Sequence, residues 1–116
     1  PVSGSRAPAL LAQIEEAARD IGEYVAGMTQ DDFFADKRTK QAVVLNLIII
    51  GETAAKLIAA EPAFVASYAD IPWQQMRGMR NRIAHGYFDI DFRIVWDTVR
   101  ADIPDLLQRI VDLRDG

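Results

Sequence analysis

Cysteine is absent from the 116 residues, so disulfides and thiolate metal sites are excluded. Histidine occurs once, which argues against a metal site built from several histidines of this chain. No metal or other cofactor is expected. An excess of positive charge is also missing. Thirteen Lys and Arg face seventeen Asp and Glu, for a net charge of −4, which disfavours a non-specific nucleic-acid binder with a broad basic face. No segment joins a basic start to an apolar run and a small-residue cleavage site, so no signal peptide is expected and the location expected is cytoplasmic. The longest apolar run, Ala42–Ile50, is interrupted by Asn46 and is too short to span a bilayer. Repeats, low-complexity tracts and strand patterns are lacking too. What remains is 50% apolar and 26% charged residues, the composition of an ordinary globular domain.

The periodicity is helical throughout. Pro1–Arg6 is small and polar and is expected to be a loose, flexible terminus, leaving residues 7–116 as one domain. From Ala7 to Met28, Leu10, Leu11, Ile14, Ala17, Ala18, Ile21, Tyr24 and Val25 recur at helical spacing, predicting an amphipathic helix of about six turns. Asp31-Asp32-Phe33-Phe34 suggests a short capped turn that returns both phenylalanines to the core. Lys37–Ala60 contains an apolar run that by itself fits a strand or a helix; its proline-free length decides for a helix. That helix is apolar on nearly all sides, so it lies in the centre of the fold or faces a partner subunit. A short helical turn starts at Glu61-Pro62. Phe92 to Leu113 carries helical spacing again, with Asp89 or Asp91 as the cap and a kink or split imposed by Pro104. The sum is an all-α, up-and-down bundle of four main helices plus a short helix.

The remaining stretch, Met76–Tyr87, holds the chemistry: M-R-G-M-R-N-R-I-A-H-G-Y. A single helix is predicted from Ile71-Pro72-Trp73 to Gly86, with Met76, Met79 and Ile83 on its core face. Gln74, Arg77, Asn81 and His85 then form a polar stripe, and Arg80 borders the apolar side. Histidine exchanges a proton near neutral pH, and arginine offers a fork of donors matched to phosphate oxygens. Together they suit RNA cleavage without a metal, in which a 2′-hydroxyl attacks the adjacent phosphate. Arg77 and Arg82 are candidates for positioning phosphates. Each residue also has a plainer role. A histidine before a glycine at a helix end is often only a partner of the helix dipole. An arginine beside an apolar face is more often a structural ion-pair member, with Glu52 the candidate partner here.

Arg80-x-x-x-x-His85-x-Tyr87 resembles the R-x-x-x-x-H-x-Y motif of HepT proteins, HEPN-domain ribonuclease toxins paired with the minimal nucleotidyltransferase MntA. The resemblance extends to Leu45–Leu57, Ile71–Trp73, Gly78–Phe88 and Val95–Pro104, and so to nearly all of the chain. It implies a HEPN bundle, a homodimer with both motif helices at one cleft, and a metal-independent endoribonuclease toxin. Arg80 and His85 would be the catalytic pair, with Asn81 assisting. Tyr87 would receive AMP from an MntA-type antitoxin, adding bulk and negative charge beside Arg80 and His85. The single histidine agrees with a second subunit, because a two-histidine mechanism needs one from each chain. The rival reading is a non-catalytic adaptor, in which the same residues contact a nucleotide or a nucleotidyltransferase partner without cutting RNA.

Overall fold

The computed structural model describes residues 5–86 and 89–116. Among them the architecture is all-α: α1 (Ala7–Tyr24), α2 (Gln30–Ala35), α3 (Lys37–Ala60), α4 (Pro62–Ser67), α5 (Trp73–Arg77), α6 (Met79–Ile83), α7 (Phe92–Asp97) and α8 (Ile103–Asp115). Of the terminus expected to be loose, Pro1–Gly4 lie outside the described residues. Ser5 and Arg6 are tied to the start of α4, the Ser5 hydroxyl and the Arg6 amide both donating to Glu61 Oε1.

Helix α3 is the centre of the bundle. It packs against α1 most extensively, then against α5 and α6, and less against α2 and α4. Ile14 and Ile21 of α1 and Leu47, Ile50 and Leu57 of α3 are fully buried. Each such side chain contributes about 1.5–3 kcal/mol on leaving water. Asn46, which interrupts the apolar run, is satisfied within the helix by donating from Nδ2 to the Ala42 carbonyl at 2.9 Å. By length and hydropathy α3 is apolar enough to cross a membrane, yet half of its most apolar window is buried inside the bundle. Its apolarity therefore serves the core. The exception is an outer strip, where Leu45 stays 58% exposed and Ile49 36%.

The ends follow local chemistry. Thr29 and Asp32 form a reciprocal capping box at the start of α2, and Asp36 accepts from the Thr39 amide at the start of α3. Of the two phenylalanines expected in the core, only Phe33 is there. It is fully buried against Phe92 and Trp96, whereas Phe34 is 37% exposed. Adjacent residues on a helical turn point about 100° apart, so both could not face inward. Asp91 caps α7, accepting from the amides of Arg93 and Ile94. Between α7 and α8 the chain makes one wide π turn, Thr98–Asp102, and Pro104 then falls in the first turn of α8, where its missing N–H is not needed.

Candidate active site

The segment expected to form one helix is broken. Helix α5 ends at Arg77, Gly78 separates it from α6, and α6 ends at Ile83. The buried side holds as expected: Trp73, Met76, Met79 and Ile83 are all buried, and the Trp73 indole donates to the Tyr68 carbonyl at 3.0 Å. The expected polar stripe does not reach His85. Ala84 leaves the helix with extended backbone, φ −130° and ψ 132°. It then pairs in antiparallel fashion with Ile90. The Asp91 amide donates to the Ile83 carbonyl and the His85 amide to the Asp89 carbonyl, each at 2.8 Å. His85 therefore stands at the start of a short return loop instead of one turn after Asn81. Tertiary pairing of Ala84 with Ile90 ends the helix before Gly86 can.

Arg77, Arg80, Asn81, Arg82 and His85 are all exposed on this segment. Buried apolar residues of the same segment anchor them from below. Arg80, expected to border the apolar side, and Glu52, the partner weighed for it, are both exposed on their helices. Arg77 is hydrogen-bonded to Gln74 Oε1. Arg82 pairs with Asp102, 3.3 Å from Nη1 to Oδ2, with both side chains about half exposed. Sequence reasoning missed that partner, which lies twenty residues downstream and carries no local signal. A cleft of about 390 Å³ lies beside α6, lined by Arg82, Asp102, Asp105 and Arg109 among others, without Arg80 or His85. Tyr87, the third element of the motif, lies outside the described residues.

What the face offers chemically is a set of exposed cations, an amide and an imidazole on a rigidly anchored segment, open to solvent. No group of His, Cys, Asp or Glu among the described residues is placed to hold a metal ion. The model of the ribonuclease HepT-like family matches residues 14–113. This chain belongs to the HepT-like ribonuclease family. The matched HepT-like region takes in α1 from Ile14 onward, all of α3 and the whole exposed segment. Within the same range of similarity, the probable ribonuclease HepT of Thermococcus cleftensis is 40% identical over 104 residues, covering 90% of this chain and 92% of that one. A candidate RNase of Methanocaldococcus jannaschii is 34% identical over 105 residues, 90% of this chain and 84% of its own length. Another, from Caldanaerobacter subterraneus, is 35% identical over 91 residues, 78% and 79% of the two chains. No solved structure matches the chain significantly.

Proposed function

We propose that residues 7–116 form a single-domain endoribonuclease that cleaves RNA without a metal, using the exposed Arg80/Asn81/His85 face. The observation that carries this reading is the placement of all three residues on one solvent-open segment whose other side is fixed in the core. Arg80 holds the scissile phosphate and stabilises charge as the 2′-hydroxyl attacks. His85 moves the proton, and Asn81 orients the substrate or the imidazole. Arg77 and Arg82 position flanking phosphates, which gives binding that weakens as salt rises.

The functional unit on this reading is a homodimer, in which a second His85 supplies the other proton-transfer group. The open face of the single chain and the exposed Leu45 and Ile49 on α3 support it. In the cell the protein acts as the toxin of a HepT/MntA-type pair, silenced when the nucleotidyltransferase attaches AMP to Tyr87. The decisive test is cleavage of total RNA in EDTA by unmodified protein, beside His85→Ala and Arg80→Ala variants shown by circular dichroism to be folded. Loss of about 10²–10⁴-fold in each is expected for a proton-transfer or charge-stabilising group. Equal cleavage by all three would assign the activity to a contaminant. No cleavage by AMP-free wild type would leave the adaptor role.

A further inference from the structure

Helix α3 carries one glycine in its 24 residues, Gly51, at a buried position in its middle. Glycine is the poorest helix former apart from proline, so a glycine there needs a reason in packing. Its backbone conformation is not that reason, since the positive-φ glycines are Gly27 and Gly86. Space is. A Cβ at position 51 would stand 2.9 Å from the carbonyl oxygen of Met76, 3.5 Å from the Met79 Cβ and 3.8 Å from the carbonyl oxygen of Arg77. The first distance is well inside ordinary contact, and its owner is main chain, which cannot swing aside as a side chain does. By contrast, a Cβ at Gly78 would meet nothing closer than 3.4 Å.

We propose that Gly51 is a positioning residue for the active segment: its bare backbone sets the depth at which α5 and α6 lie on α3, and so where Arg80, Asn81 and His85 stand. This rests on the Arg80/His85 reading of the site. Met76 and Met79 flank the break at Gly78, directly before Arg80, and both are buried. A methyl group at position 51 pushes against the last turn of α5, and the displacement passes along the main chain to Arg80 three residues beyond Arg77. The return loop is hydrogen-bonded to the end of α6 through Ile83, so His85 moves with it. Close-packed interiors transmit such shifts instead of absorbing them.

The test compares Gly51→Ala with Val43→Ala, which removes fully buried volume from α3 two turns away from Gly51. Cleavage kinetics in EDTA and backbone amide chemical shifts are measured well below both melting temperatures. Displacements near 1 Å can cost up to about 10²-fold in rate, so a fall in kcat on the order of tenfold is expected for Gly51→Ala, with KM within twofold. Amide shifts should change from Met79 to His85 and stay put in α1, and Val43→Ala should melt lower with kcat retained. Wild-type kcat in Gly51→Ala, or an equal loss of kcat in Val43→Ala, would overturn the proposal. If Gly51→Ala is unstable, the measurements are repeated at low temperature in trimethylamine N-oxide, which favours the compact state. A chain still unfolded there would make Gly51 a packing residue only and end the idea. An Arg80→Ala arm separates the two claims. Full activity in Arg80→Ala sinks the site itself, whereas an inactive Arg80→Ala beside a fully active Gly51→Ala sinks only the role of Gly51.

Discussion

The His85 amide donates to the Asp89 carbonyl at 2.8 Å, and the residue after His85, Gly86, has φ +141°. That backbone angle is one an L side chain seldom adopts, and no atom lies within 4 Å of where a Cβ would be. Strain, not collision, is therefore what a side chain at this position would bring. Gly86→Ala is expected to destabilise the chain by about 1–3 kcal/mol, the range for a non-glycine residue held in a sparsely populated region. Because the loop carries His85, kcat for RNA cleavage should fall more than overall stability does. Urea melts and single-turnover cleavage check this together. Unchanged values in both would show that the loop relaxes freely.

Arg82 shares its charge with Asp102 at 3.3 Å, and both side chains are about half exposed. An exposed pair of this kind adds little to stability. On the proposed reading it places an anion where an RNA phosphate would otherwise sit. Asp102→Asn should tighten RNA binding about two- to threefold at low salt, leave kcat unchanged, and lose its advantage as salt screens the difference. Fluorescence anisotropy with a labelled RNA across a salt series measures the effect. Weaker binding by the variant would mean that Asp102 holds Arg82 in its working position.

The bundle was legible in the sequence because its two long helices are encoded by uninterrupted periodicity. Lys37–Ala60 begins and ends where its pattern does, and the caps at Asp36 and Asp91 are local chemistry. The same logic misplaced His85. Helical spacing runs through Ala84 and His85, but pairing with Ile90, Asp89 and Asp91 ends the helix at Ile83, and those partners are set by tertiary folding. Which residues are exposed and chemically able could be read from the sequence. Their relative placement could not, because it depends on where the chain turns back.

In the sequence Tyr87 follows Gly86, between His85 and Asp89. On the proposed reading an AMP group there puts a phosphate beside Arg80 and His85 and competes with substrate. Co-expression with the cognate nucleotidyltransferase should add AMP mass to the wild type and abolish cleavage. Tyr87→Phe should remain unmodified and active under the same conditions. Intact-mass spectrometry reads both, and AMP on the Phe variant would move the modification to another residue.

Acid sensitivity should reside partly in the pairing of α1 with the C-terminus of α8. Glu15 is only 12% exposed and is held by Arg114, whose Nη1 lies 2.6 Å from Oε1, and by Arg19 at 3.0 Å from Oε2. Burial alone would raise its carboxyl, but the hydrogen bonds and charges of Arg19 and Arg114 leave it below the usual glutamate value of 4.5. A carboxyl lowered in the folded state adds stability that is present above its unfolded value and disappears as pH falls through its folded one. Melting temperature should therefore be level near neutrality and decline below about pH 4.5, the value at which the unfolded chain starts to take up the proton. Asp36, lowered chiefly by the Thr39 amide at the start of α3, adds to the same decline. In Glu15→Gln the slope between pH 5 and pH 3 should be shallower but not flat, because the Asp36 contribution persists. A slope equal to the wild type's would show that the two arginines stabilise the unfolded carboxylate as much as the folded one.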